Sequence, residues 1–106
     1  MASDRFENVT VIKQANVYFD GRVTSRTVLL PDGSRRTLGV MLPGEYEFTT
    51  GAAEVMEVLG GRMTVLLPGR KDWQAFGPGQ SYDVPAGSSF RLRIEGVADY
   101  CCSYGK

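Results

Sequence analysis

One carboxylate and two hydroxyl groups fall on a predicted surface that is otherwise apolar. Tyr46, Phe48 and Thr50 alternate with polar residues, which is the period of a half-buried strand, and Glu54 stands at the start of the next strand. A small pocket combines apolar walls with a few polar groups of this kind, so the surface could bind a small polar ligand. A core face with a polar rim would give the same pattern, which leaves both interpretations open.

The elements that must position these side chains are two predicted strands joined by a short turn, within residues 44–61. Glu54, Met56 and Val58 share one face of the second strand, and a Gly-Gly pair after it supplies a tight turn. We therefore expect the groups that could do chemistry to lie on two strands that are consecutive in the chain.

The chain as a whole has the pattern of an all-β domain. About nine short runs rich in β-formers are separated by Gly/Pro turns, and no long window shows a helical period. Residues 51–59 could suggest a helix, but their valines and flanking glycines favour a strand. With 106 residues, the chain is predicted to be a single domain over residues 1–106, a sandwich or a barrel, with residues 1–7 loosely ordered.

Charge and hydropathy exclude several classes of partner. Lys plus Arg and Asp plus Glu each number 12, so no net positive field would attract a nucleic acid. The pairs Arg35-Arg36 and Arg70-Lys71 are interpreted as solvated charges at turns. The sequence lacks a secretory signal at its N-terminus and any apolar run near the length of a membrane span. We expect a soluble cytoplasmic protein with neither a nucleic-acid nor a membrane partner.

The two cysteines are neighbours in the chain. Adjacent residues of a strand point to opposite faces, so Cys101 and Cys102 are predicted to stay unbridged, as small buried side chains.

Two sequence motifs resemble those of the cupin superfamily. The first consists of a Gly, a strand with His-x-His, a Glu, six further residues and a Gly. Gly44, Glu54 and Gly61 match it, and Phe48 and Thr50 stand at the two histidine positions.

The second cupin motif is matched by Gly79, Pro85 and Gly87, with Phe90 at its histidine position. The chain contains no histidine, and one glutamate cannot hold a transition metal without partners. The resemblance therefore implies a single-domain cupin barrel, a double-stranded β-helix or jelly roll, with no metal and no other cofactor.

A narrower resemblance extends from about Asn16 to Tyr104. The segments N-x-YFDGRV, GVMLPGEYEFTT, E-x-ME-x-LGG, VLLPG-x-x-DW, VPAGSSFRLR and YCCSY occur in the order and spacing of the small cupins of the pyrimidine/purine nucleoside phosphorylase family. The resemblance implies a homodimeric pentosyltransferase. Such an enzyme would cleave purine and pyrimidine ribonucleosides with inorganic phosphate, giving a free base and ribose 1-phosphate.

That reaction suggests roles for the polar residues. Arg22 and Thr50 are the candidates for holding phosphate, which calls for a cation and hydroxyl groups. Glu54, with Thr50, is the candidate catalytic residue, binding the ribose hydroxyls or stabilising the positive charge that develops at C1′. An exposed charge at Arg22 and a rim carboxylate at Glu54 are the alternatives.

Aromatic residues are the candidates for binding the base. Phe48 and Phe90 offer flat apolar faces for stacking, and Tyr46 and Tyr104 could donate hydrogen bonds to the substrate. Each phenylalanine could equally be an ordinary core residue.

Two other functions compete with the enzyme. A non-catalytic cupin that binds a nucleoside or a sugar phosphate would keep the same pocket, and only phosphate-dependent base release separates the two. A purely structural dimerisation module would leave the inward Tyr, Thr and Glu without a purpose.

Overall fold

The computed structural model describes residues 4–105, which form eleven strands and a single 3₁₀ turn. The strands are β1 (Thr10–Val11), β2 (Asn16–Tyr18), β3 (Val23–Leu29), β4 (Arg35–Met41), β5 (Gly44–Thr49), β6 (Glu54–Gly60), β7 (Met63–Leu66), β8 (Gln74–Phe76), β9 (Ser81–Val84), β10 (Ser89–Ile94) and β11 (Ala98–Tyr104), with the turn at Phe19–Gly21 between β2 and β3. No helix in this part of the chain is long and apolar enough to cross a membrane.

The strands form two antiparallel sheets. The large sheet has the order β1-β3-β4-β11-β6-β9, with β2 also paired to β3, and the small sheet has the order β5-β10-β7-β8. The prediction of an all-β, cupin-like jelly roll is confirmed, although the two sheets do not close into one hydrogen-bonded barrel.

Alternating side chains build the core between the sheets. In β10, Phe90, Leu92 and Ile94 are buried while Arg91 and Arg93 are exposed. The same alternation holds along β5 and β6, which confirms the faces predicted for these strands. One cluster of apolar side chains joins both sheets, and each fully buried Val or Leu in it contributes about 1.5–3 kcal/mol.

The turn after β6 requires glycine at Gly61. Its φ of 72° is left-handed, and a Cβ there would overlap the carbonyl oxygen of Val97. This glycine forms the tight turn predicted from the Gly-Gly pair, which leads from β6 in the large sheet to β7 in the small sheet, and residues 54–60 are strand rather than helix.

Three further predictions have definite outcomes. Cys101 and Cys102 are buried free thiols, as expected. The Asp20-Gly21 signal does produce a turn, but the turn is 3₁₀ and begins at Phe19. Of the segment 1–7 predicted to be loose, residues 4–7 contain no strand, and residues 1–3 lie outside the described residues.

Candidate functional site

A cavity of about 240 Å³ lies between the inner faces of the two sheets. The large sheet supplies most of the polar lining, and the small sheet supplies an aromatic wall. The lining residues are Tyr18, Ser25, Arg35, Thr37, Met41, Phe48, Thr49, Glu54, Met56, Phe90, Tyr100, Cys102 and Tyr104. Three of them, Tyr18, Arg35 and Thr49, are exposed, so solvent reaches the cavity beside these side chains.

Glu54 is the carboxylate of the cavity. It is half-buried at the start of β6, directly opposite Tyr104 of β11. The Cys102 thiol donates a hydrogen bond to Glu54 Oε1 at 3.5 Å. Burial raises the pKa of the Glu54 carboxyl above its ordinary value, and this outweighs the opposing effects of the Cys102 hydrogen bond and the Arg35 charge. The site therefore disfavours the ionised Glu54 carboxylate on its own, and it favours a bound group that neutralises this negative charge.

The thiol and the phenols beside Glu54 are protonated at neutral pH. Burial, together with the nearby Glu54 charge, raises the pKa of Cys102 to about 12. Burial also raises the pKa of Tyr104, and it raises that of Tyr100 to about 12. Cys102 is therefore a hydrogen-bond donor here and not a thiolate nucleophile.

Arg35 brings a positive charge to this polar side of the cavity. Its guanidinium lies 4.0 Å from the centre of the Tyr104 ring, a cation–π contact. The Tyr104 hydroxyl lies 3.1 Å from Thr37 Oγ1, which fixes the ring on β4 as well as on β11. One arginine and two hydroxyl groups thus lie next to one another along β4 and β11, as anion binding requires.

The opposite wall is aromatic. Phe48 and Phe90 are directly paired across β5 and β10, with ring centres 6.0 Å apart and planes inclined by 28°. The Tyr18 ring meets Phe48 edge-on, with a centre-to-centre distance of 5.9 Å. This wall presents flat apolar surface to the cavity.

Four of the predicted site residues therefore line one cavity: Phe48, Glu54, Phe90 and Tyr104. The other three do not.

Thr50 was expected to open into the cavity, and this is wrong. Its buried hydroxyl donates to the Pro85 carbonyl at 2.6 Å and accepts from the Ser88 N–H at 3.0 Å. Since β5 ends at Thr49, Thr50 fastens the end of that strand to the β9–β10 turn instead of facing a ligand.

Tyr46 and Arg22 also lie outside the cavity lining. The Tyr46 hydroxyl donates to the Leu42 carbonyl at 2.6 Å, so this ring is a satisfied core residue. Arg22 Nε donates to the Phe19 carbonyl at 3.3 Å, and the guanidinium lies 5.8 Å from the Tyr46 ring centre. Both side chains stabilise the β2–β3 turn.

Sequence reasoning missed Arg35, Thr37, Cys102 and Tyr18. Arg35 was interpreted as a solvated charge at a turn, although two-residue steps back from the buried Met41 place residues 37 and 35 on the inward face of β4. Cys102 meets Glu54 only through the β6–β11 pairing, which local patterns do not reveal. Within residues 4–105 no three His, Cys, Asp or Glu side chains lie together as a metal-ligand set.

Comparison with known proteins gives concordant matches. Residues 13–104 match the sequence model of a family described as pyrimidine/purine nucleoside phosphorylase. A protein of that name from Syntrophotalea carbinolica is 66% identical over 101 residues, which cover 95% of this chain and 97% of the relative.

Solved structures extend the match to the fold. The crystal structure of a protein of unknown function from Acinetobacter sp. ADP1 superposes with a TM-score of 0.95 and 40% identity, covering 97% of this chain and all of that one. Oxalate decarboxylase from Bacillus subtilis superposes with a TM-score of 0.74 at 15% identity, over 99% of this chain and 31% of that chain. The second likeness concerns the fold alone.

Proposed function

Because this chain belongs to the pyrimidine/purine nucleoside phosphorylase family, we propose that it cleaves purine and pyrimidine ribonucleosides with inorganic phosphate. In this reaction a phosphate oxygen forms a bond to C1′ of the ribose while the C1′–N bond breaks. The electron pair leaves with the base, which takes up a proton, and the products are the free base and ribose 1-phosphate. The enzyme is thus a pentosyltransferase.

One observation supports this reaction above all: the cavity sets an aromatic wall opposite a cluster containing a carboxylate and an arginine. A nucleoside has a flat base and a polar sugar, and phosphate is an anion. Each of these three parts finds a chemically matched surface in the same cavity. Holding both reactants there removes the entropy loss of a bimolecular encounter.

The base stacks on Phe48 and Phe90. Stacking on an aromatic ring contributes about 1–3 kcal/mol per base and does not depend on which base is bound. The side chains of Phe48 and Phe90 carry no hydrogen-bond donors or acceptors that would distinguish one base from another. This agrees with acceptance of both purines and pyrimidines.

Phosphate binds beside Arg35, with the hydroxyl groups of Thr37 and Tyr104 as further ligands. These groups replace the expected Arg22 and Thr50, whose side chains are bonded elsewhere. The stacking of Arg35 on Tyr104 restricts the orientations of the guanidinium, so less entropy is lost when phosphate binds.

Glu54 interacts with the ribose. Hydrogen bonds from the 2′- and 3′-hydroxyls would add to the one that its half-buried carboxylate accepts from the Cys102 thiol. The positive charge that develops at C1′ is also stabilised by this carboxylate, more strongly in the transition state than in the ground state. Burial strengthens such an interaction because the local dielectric is low.

Apolar side chains on the outer face of the large sheet support a homodimer. Leu38 and Val40 of β4 and Val55 and Leu59 of β6 point away from the core and are between 36% and 43% exposed. Several exposed apolar side chains on one face of a sheet are typical of a protein interface, and we call this group the apolar patch. Location in the cytoplasm and the absence of a metal cofactor stay predictions.

Incubation of the purified protein with uridine or adenosine, with and without phosphate, tests the proposal. Release of free base only when phosphate is present is the expected result. Saturable nucleoside binding without base release would instead identify a non-catalytic binding protein. Glu54→Gln serves as the matched variant that keeps the shape of the site.

A further inference from the structure

Two consecutive side chains, Tyr18 and Phe19, both meet Phe48 edge-on. Their ring centres lie 5.9 Å and 5.4 Å from that of Phe48, with interplanar angles of 80° and 88°. In an extended strand, consecutive side chains point to opposite faces. Their convergence on one ring therefore needs a break in the backbone between them.

The break is a run of left-handed residues. Tyr18 is still extended, with φ −128° and ψ 151°, but φ is 53° at Phe19, 56° at Asp20 and 91° at Gly21. Glycine adopts such values freely, whereas a bulky residue such as phenylalanine rarely does. Strained backbone of this kind persists only where its surroundings hold it, and it clusters at functional sites.

Contacts on both sides hold Phe19 in place. Its carbonyl accepts hydrogen bonds from the Arg22 N–H at 3.2 Å and from Arg22 Nε at 3.3 Å. Its ring packs on Tyr46 at 4.9 Å, and Tyr46 is itself anchored by its hydroxyl to the Leu42 carbonyl. Phe19 nevertheless stays 37% exposed, so the strained turn buries little apolar surface in return.

We propose that Phe19 is a positioning residue for the nucleobase: its left-handed backbone brings its ring to the same side as that of Tyr18, where the two rings hold Phe48 edge-on. Phe19 itself does not line the cavity, and it acts through Phe48. The inference rests on the proposed function, because it assigns the base to this wall. It predicts that Phe19 controls the affinity for the nucleoside without affecting phosphate.

Three substitutions separate the ring from the backbone. Phe19→Gly removes the ring but suits the left-handed backbone, so the turn is kept. Phe19→Ala removes the ring and keeps the strain, and Phe19→Tyr keeps the ring. Val17→Ala is the matched control, because Val17 lies on β2 two residues before Phe19, is 60% exposed and is outside the cavity lining.

We expect Phe19→Gly and Phe19→Ala to raise the KM for adenosine roughly tenfold, the effect of losing an aromatic pair. The KM for phosphate and kcat should change less than about twofold, since only ground-state binding of the nucleoside is affected. Phe19→Tyr and Val17→Ala should match the unmodified protein. A merely structural role would instead lower the melting temperature and leave the KM for adenosine unchanged.

Calorimetric titration with adenosine, in the absence of phosphate, repeats the comparison without turnover. Binding that is roughly tenfold weaker in Phe19→Gly supports the inference. Unchanged binding and an unchanged KM in Phe19→Gly, in a protein that does cleave adenosine, overturn the inference but leave the proposed function intact. A protein that neither binds nor cleaves adenosine overturns both.

Discussion

The guanidinium of Arg35 stacks on the ring of Tyr104 at 4.0 Å, across two neighbouring strands of the large sheet. This contact presents a cation, held by an aromatic face, to the polar side of the cavity.

Replacing Arg35 should therefore impair phosphate binding. We expect Arg35→Ala to raise the KM for phosphate about tenfold to a hundredfold, the range for losing a charge-assisted hydrogen bond. The KM for the nucleoside should change little. Initial rates measured over a range of phosphate concentrations give both values. Arg36→Ala is the matched control, because Arg36 is the neighbouring residue of β4 and lies outside the cavity lining. An equal effect in both variants would show that Arg35 acts only through overall charge.

Removing the charge of Glu54 should slow the reaction. Glu54→Gln is nearly isosteric, so the expected loss is in transition-state stabilisation, with kcat and kcat/KM both reduced roughly a hundredfold. Steady-state kinetics with uridine and adenosine check this. A folded Glu54→Gln protein with full activity would show that Glu54 is only a rim residue.

The same substitution should change the pH dependence of stability. The pKa of Glu54 is raised above its ordinary value of 4.5, so the folded protein favours the neutral carboxyl. The raised pKa contributes to the free energy of unfolding. This stabilisation is fully present below pH 4.5 and is lost as the pH rises through the pKa of Glu54 in the folded protein. Glu54→Gln should therefore gain stability relative to the unmodified protein between pH 4 and about pH 7.

Thermal unfolding at both pH values measures that difference. Glu47→Gln, at an exposed position on the outer face of the small sheet, is the control for the loss of one carboxylate. A melting-temperature difference that stays constant with pH would contradict the prediction.

Thr50 should matter for stability and not for phosphate binding. Thr50→Val leaves the Ser88 N–H without its side-chain acceptor and removes the hydrogen bond to the Pro85 carbonyl. The expected loss is about 1–3 kcal/mol in the free energy of unfolding, measured with denaturant. The KM for phosphate should be unchanged. Thr10, which is exposed on β1 and outside the cavity lining, supplies the control variant, Thr10→Val, which should be close to neutral. A raised KM for phosphate in folded Thr50→Val would contradict this and show that Thr50 takes part in phosphate binding.

A charge on the outer face of the large sheet should prevent dimer formation. Leu38→Asp places a carboxylate within the apolar patch, whereas Val97→Asp places one at an exposed position between β10 and β11. Light scattering at micromolar concentration should give the mass of a monomer for the first variant and of a dimer for the second. A monomeric unmodified protein would refute the dimer itself.

The alternation within single strands was predictable from the sequence, since every second residue of a strand shares a face. It placed Phe48 and Phe90 on inner faces, and the structure pairs them directly. The same rule failed at Thr50. The strand β5 ends one residue earlier, and the Thr50 hydroxyl is hydrogen-bonded to the β9–β10 turn. A pattern of residue types does not show at which residue a strand ends.

Contacts between distant parts of the chain were beyond local patterns. Cys102 and Glu54 are 48 residues apart in sequence, and only the register of β11 on β6 brings them together. The position of Phe19 depends on a backbone conformation that phenylalanine seldom adopts, so no propensity argument would have found it.

The place of β11 in the large sheet has a consequence for biosynthesis. This strand is the last of the eleven to leave the ribosome, yet it lies between β4 and β6 and supplies Tyr100, Cys102 and Tyr104 to the cavity. A nascent chain that ends before residue 98 therefore exposes β4 and β6 as two unpaired edges, which are templates for aggregation. The large sheet can therefore be completed only after translation has passed β11, although β3–β4 and β6–β9 can pair before that.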